Sequence, residues 1–182
     1  MVDVELSNIW SSVSLPDLLS GEKDLFDAHM QLRTNTDGGP DFLGWLNAPE
    51  GVMARTVLAI GSAAQTIASI CDTLVVVGSG AACSAAQAAL AALGSGEGPE
   101  IVFAGTSLST AAYVALCQRL QTREVCLLLA SSGSMSMESG IASRAVRWLL
   151  ERRYGPEAKQ RVFVCAVSGS AMHQMAKEEG YT

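Results

Sequence analysis

Two short segments, Gly78-Ser-Gly80 and Ser131-Ser-Gly-Ser-Met-Ser136, gather the residue types of this 182-residue chain that could hold a charged group. Glycine lets the backbone turn tightly and brings its N–H groups close to a ligand. A turn of that kind at the start of a helix aims those groups from the partially positive end of the helix dipole, which suits a phosphate. The serine-rich segment adds several hydroxyls. Together the two loops read as a hydroxyl-and-amide cradle for a sugar phosphate, without a metal ligand set. Each also has a plainer reading. Glycine serves any strand-to-helix turn, and Ser134 or Ser136 would serve as the cap of the helix that follows.

Such loops can cooperate only if the chain delivers both to the same end of one sheet. From Asp72 the sequence alternates short apolar runs with helical patterns. The runs Thr73–Val77, Glu100–Ala104, Val125–Leu129 and Arg161–Val167 read as strands. Between and after them, Ala82–Leu93, Ser107–Leu120, a stretch from the serine loop to about Arg153, and Ser170–Glu179 read as helices. In the third helix Ile141, Ala145 and Leu149 join Ala142, Val146 and Leu150 on one broad face, with Glu138 near its start and Arg152 and Arg153 near its end. Strands that are apolar on both sides and separated by helices predict an α/β fold with a doubly wound parallel sheet, where ligands sit beyond the carboxyl ends of the strands. Ahead of it, residues 1–51 read as an N-terminal helical arm. That arm holds a helix over Leu15–Arg33, with Ser14 as its N-cap before Pro16. The α/β domain is expected over 52–182, opening with a helix at Val52–Ile70.

Composition narrows the functional classes. Hydrophobic residues make up 49% and charged residues 16%, so a packed core is expected rather than disorder. Mean hydropathy is +0.27. No apolar run approaches the ~18 residues that a bilayer crossing needs. The acidic start Met1-Val-Asp-Val-Glu5 lacks the basic region of a signal peptide, which points to the cytoplasm. A net charge of −6 argues against nucleic acid and against an anionic membrane surface as partners. The five cysteines, at 71, 83, 117, 126 and 165, form no C-x-x-C pair, so neither a disulfide framework nor a zinc ribbon is expected. They read as buried thiols acting as small hydrophobes. Cys83, beside a helix N-terminus, is the one placed to be reactive.

Five segments occur in a telling order: Asp41-Phe-Leu-Gly-Trp45, Asp72-Thr-Leu-Val-Val-Val-Gly78, Pro99-Glu-Ile-Val-Phe-Ala-Gly105, Arg147-Trp-Leu-Leu-Glu-Arg-Arg-Tyr-Gly155 and Glu178-Glu-Gly-Tyr181. In this the chain resembles the amino-terminal part of bacterial glucose-6-phosphate isomerases, including their first sugar-isomerase (SIS) domain. The resemblance runs from about Ala28 to the last residue. It implies a parallel SIS sheet that grips the phosphate of glucose 6-phosphate or fructose 6-phosphate without a cofactor.

Residue by residue, the resemblance places the phosphate site on Gly78, Gly80, Ala81 and Ala82 and on Ser131, Ser132, Gly133, Ser134 and Ser136. The family's first loop, G-I-G-G-S, falls on Gly78-Ser-Gly-Ala-Ala82, so Ala81 replaces a glycine and Ala82 the phosphate-binding serine. Its second loop, S-K-S-G-T-T, falls on Ala130-Ser-Ser-Gly-Ser-Met135. Ser131 replaces the lysine, Ser132 and Gly133 match, and Ser134 replaces a threonine. The asparagine pair expected after Gly105 is Thr106-Ser107, and Glu138 is the candidate for the acidic residue after the second loop.

The family's glutamate base, histidine, lysine and G-G-R-x-S arginine lie beyond the point matching Thr182, and His29 and His173 are not at matching positions. The resemblance thus implies a truncated or degenerate portion of an isomerase, inactive alone and holding a sugar phosphate weakly. The alternative is a stand-alone SIS module for binding, regulation or interaction. The family's sheet adds a fifth strand after the segment matching Glu178–Tyr181. An unpaired edge in its place would favour a homodimer, unless Ile9-Trp10, Phe42 and Trp45 of the arm cover it.

Overall fold

The computed structural model describes residues 5, 7–34, 48–94, 96, 98–131 and 133–182, with Pro49 and Ala82 through their backbone alone. The Asp41–Trp45 segment, with Phe42 and Trp45, lies outside the described residues, as does Ser132. The chain divides into two compact units, Met1–Val57 and Leu58–Thr182.

In the first unit, Ser14 and Asp17 close a capping box at the start of α1 (Leu15–Ser20), with Pro16 in its first turn. The single helix expected over Leu15–Arg33 is two, since α2 (Glu22–Thr34) begins after a break at Gly21. Two effects favour the break. The Ser20 hydroxyl turns back to donate to the Asp17 carbonyl at 2.7 Å, and glycine is a poor helix residue. A short α3 (Ala48–Gly51) follows, and α4 (Ala54–Ile70) runs across the boundary between the units.

The second unit is built on four runs that satisfy both faces of a sheet. β1 (Thr73–Val77), β2 (Glu100–Ala104), β3 (Val125–Ser131) and β4 (Val162–Ala166) pair in parallel in the order β2-β1-β3-β4. Every residue of β1 is buried, as a central parallel strand requires. Side chains alternate between two cores. Val75, Val77, Val125, Leu127, Leu129 and Val162 pack on one face with Tyr113 and Leu120 of α6 (Thr110–Leu120), Val146 and Leu150 of α7 (Met137–Tyr154), and Met172 of α8 (Ala171–Glu179). Leu74, Val76, Cys126 and Phe163 pack on the other with Ile67 of α4 and Cys83 of α5 (Ala81–Leu93). Beyond β4, Thr182 extends the ladder: its carbonyl accepts from Val164 N at 2.7 Å and its N–H donates to Val162 O at 3.2 Å.

Two expectations about the core need correction. The face of α7 turned inward is Ser139, Ala142, Ser143, Val146, Leu149 and Leu150, while Ile141 is exposed. Two buried serines lie on that stripe, so counting apolar residues alone rotated it. Cys165 is exposed rather than buried, near the end of the edge strand β4, and Cys117 is only half-buried.

The two ends of the sheet differ in chemistry. At the amino ends, charged residues stand at each strand mouth: Asp72, Glu100, Glu124 and Arg161. Arg123 reaches Glu100 at 2.9 Å and Asp72 at 3.5 Å, and Arg119 also pairs with Glu100. Asp72 is held below the usual carboxylate range, chiefly by the Thr73 hydroxyl. Glu124 takes Arg153 at 2.9 Å, Arg161 at 3.1 Å and the Tyr154 hydroxyl at 2.9 Å. Arg161 is the least exposed of these cations. It lies over the Tyr154 ring at 3.9 Å and donates to the carbonyls of Ile70 (2.9 Å) and Val125 (3.3 Å).

At the carboxyl ends the chain is crowded. A Cβ on Gly78 would stand 2.6 Å from the Ala130 carbonyl oxygen and 2.7 Å from Cys83 Sγ. On the other side, Gly78 N donates to Ala104 O at 3.2 Å. Only glycine fits where β1 hands over to α5.

Two substitutions probe these ends. Gly78→Ala should destabilise the chain by about 1–3 kcal/mol through overpacking. Arg161→Ala should cost about 2–4 kcal/mol, since it leaves a carboxylate and two carbonyls short of a charged donor. Urea unfolding of each variant beside the parent reads both as lowered midpoints.

Candidate functional site

β1 and β3 are hydrogen-bonded neighbours, and the register that sets Val77 opposite Leu129 carries the residues after both strands to one end of the sheet. They meet around a cavity of about 560 Å³. Ser79, Gly80 and Ala81 line it from the first loop, Ala130, Ser131, Ser134, Met135 and Ser136 from the second, and Ser139 from the first turn of α7. A larger cleft of about 680 Å³ lies at the opposite end beside β2, but its Asp72 and Glu100 are already paired with Arg123.

The helices that start at the cavity begin differently. α1, α6, α7 and α8 each begin on a serine whose hydroxyl accepts a first-turn N–H. α5 begins on Gly80, which has no side chain to do so. The first N–H groups of a helix have no intrahelical acceptor. Cys83 N and Ser84 N turn to the Gly80 carbonyl at 3.2 and 3.1 Å. The N–H group of Ala81 has no acceptor among the described residues. It lies at the positive end of the helix.

The second loop is more committed. Ser131 Oγ donates to the Ser134 carbonyl at 3.0 Å and accepts from Gly133 N at 3.2 Å, closing the turn on itself. Ser136 caps α7 by accepting from Ser139 N at 3.2 Å. Ser139 Oγ in turn donates to the Gly105 carbonyl at 3.1 Å, so its hydroxyl links α7 to the end of β2. The hydroxyls left without a partner among the described residues are those of Ser79 and Ser134.

Of the residues expected at the site, the structure brings Gly80, Ala81, Ser131, Ser134 and Ser136 to the cavity wall. Ala82 is described through its backbone alone. Gly78 is packed behind the wall, Gly133 stands outside it, and Ser132 lies outside the described residues. Ser79, Ala130, Met135 and Ser139 were not foreseen as wall residues. Ser139 could have been found from its place three residues after a capping serine.

Among the described residues, no acid or base lines the cavity. Glu138 sits in the first turn of α7, held below its usual range chiefly by its own backbone N–H, and is not part of the wall. His173 Nδ1 accepts from Gly169 N at 2.9 Å at the start of α8. Burial pushes the Cys83 thiol up, away from the reactive range. The wall therefore offers neutral donors and a helix N-terminus, which can hold an anion and cannot move a proton.

No family model matches the chain. Over 167 residues, 85% of its length, it is 36% identical to the glucose-6-phosphate isomerase of Symbiobacterium thermophilum. Over 171 residues, 90% of its length, it is 35% identical to that of Staphylococcus epidermidis. It spans 37% and 39% of those two proteins. Among solved structures, a hypothetical protein from Thermus thermophilus superposes with a TM-score of 0.74 over 92% of this chain and 40% of its own, at 17% identity, which bears on the fold alone. No helix among the described residues is long and apolar enough to cross a membrane. The doubly wound α/β chain described above is thus a homologue of the glucose-6-phosphate isomerases that spans little more than a third of their length.

Proposed function

We propose that this chain is a sugar-phosphate-binding portion of a glucose-6-phosphate isomerase, a cytoplasmic protein whose first SIS domain holds the phosphate of glucose 6-phosphate or fructose 6-phosphate between the two loops. The observation that carries the reading is the uncapped start of α5, whose first residue, Ala81, shares a cavity with Ser79 and Ser134. The sequence similarity supports the sugar phosphate as ligand. Lysine is absent from the wall and the Ser131 hydroxyl is turned into its own loop. Binding then rests on neutral donors, and a hydrogen bond between a neutral donor and a charged group is worth roughly 1.5–3 kcal/mol. The expected affinity is no tighter than millimolar.

The same wall supports a second clause. Isomerisation moves a proton beside a carbonyl and needs a positioned base, and among the described residues no acid or base lines the wall. The 182 residues by themselves therefore bind without turning over. In a coupled assay on purified chain, fructose 6-phosphate should form at the rate of the protein-free control. Turnover well above that control would remove this clause.

Binding is tested with Ala81→Asp. A carboxylate in the first turn of α5 satisfies the helix dipole, so stability should hold or rise by a few tenths of a kcal/mol. The same carboxylate repels a phosphate, so calorimetric titration with fructose 6-phosphate should show affinity falling at least tenfold. Unchanged affinity in a folded variant would take the ligand away from this cavity.

A further inference from the structure

A second cavity, of about 370 Å³, adjoins the first and shares Met135 and Ser136 with it. Gly140, Arg144, Arg147 and Met175 contribute to its remaining wall, and no carboxylate among the described residues lines it. The two cations stand differently. Arg147 lies 3.9 Å from Glu151 and 4.0 Å from Glu179, with the Tyr181 ring at 5.5 Å. Arg144 is exposed and has no partner among the described residues. At the strand mouths, by contrast, Arg119, Arg123, Arg153 and Arg161 are all paired with carboxylates.

Gly140 opens the space between these side chains. Glycine inside a helix is less favourable than alanine, yet a Cβ at Gly140 would meet nothing within 4 Å. Packing therefore does not demand glycine there. The bare turn lies on the same face as Arg144, four residues further along α7. Helical side chains lean toward the amino end of their helix, which brings the Arg144 guanidinium toward the first cavity. From the capping Ser136 to Arg144 the helix rises about 12 Å, at about 1.5 Å per residue. The arginine side chain covers part of that distance, and a six-carbon sugar with a phosphate at each end covers the rest.

We propose that the second cavity is an anion subsite, so that the chain takes a hexose bisphosphate, with one phosphate at the start of α5 and the other at Arg144. This deepens the reading of the first cavity as a phosphate site and rests on it. Arg144 is the specificity-determining residue, because its planar fork of donors matches two phosphate oxygens. Arg147 adds charge beside it, and Gly140 leaves room for the sugar between the two phosphates.

The test titrates the full chain calorimetrically with fructose 6-phosphate and with fructose 1,6-bisphosphate at one ionic strength. The bisphosphate should bind roughly tenfold tighter, as one charge-assisted contact would give. Arg144→Gln changes an exposed side chain. It should bring the bisphosphate to the level of the monophosphate and leave the monophosphate within about twofold of the parent. Gly140→Leu replaces a poor helix residue with a good one and fills the space, and should do the same. Arg152→Gln is the charge control, since Arg152 meets only the Trp148 ring near the far end of α7. It should keep the preference. Equal affinity for the two ligands in the parent overturns the subsite and leaves the first cavity's reading in place. A preference that survives Arg144→Gln or Gly140→Leu, or that falls as far with Arg152→Gln, also overturns it. Failure of both ligands to bind removes the subsite and the first cavity's reading together.

Discussion

The molecule turns on a point of contact at the end of β1, where the Ala130 carbonyl and the Cys83 sulfur crowd Gly78 and leave no room for a Cβ. Three segments meet there: the exit of β1, the exit of β3 and the first turn of α5. Interiors this tightly packed leave little freedom to slide. The crowding fixes where α5 begins relative to the serine loop, and therefore where its first amides point. Gly105, at the exit of β2, completes the junction through the hydrogen bond from Ser139. A cavity with one bare helix start and one capped helix start is the product of that packing.

Much of this could be read from the chain, and the reasons are local. The run Thr-Leu-Val-Val-Val is buried along its whole length, as its apolar continuity suggests. Ser14, Ser136 and Ser170 cap the helices they precede. What could not be read depends on residues distant in sequence. The bonds from Arg161 to Ile70 and Val125 cross long stretches of chain and leave no periodic trace. The exposure of Cys165 goes with the place of β4 at the edge of the sheet, which the strand itself does not encode. Ser139 reads as polar, yet it is buried because its hydroxyl finds a carbonyl on another element. Gly78 was legible as a tight turn. Its role as a packing residue emerges only once Cys83 and Ala130 are set beside it.

The site also shows how one constellation divides labour between hydroxyls of the same type. Ser131 shapes its own loop, Ser136 finishes a helix, Ser139 joins two elements, and Ser79 and Ser134 remain open. Counting serines in the sequence overstates the donors available to a ligand. The backbone is the more dependable contributor, since the amide of Ala81 faces no competing acceptor among the described residues.

The segregation of charge between the two ends of the sheet has a kinetic consequence. All the arginines that organise the strand mouths lie at the amino end, engaged with carboxylates, while the chain carries a net charge of −6. An approaching anion therefore diffuses against the repulsion of the net charge and meets the attraction of the α5 amides at short range. At physiological ionic strength that repulsion decays over about 8 Å. Added salt then shortens the barrier to encounter more than it weakens the short-range hydrogen bonds at the cavity floor. Capture by this cavity is governed by collision at close quarters rather than by electrostatic guidance.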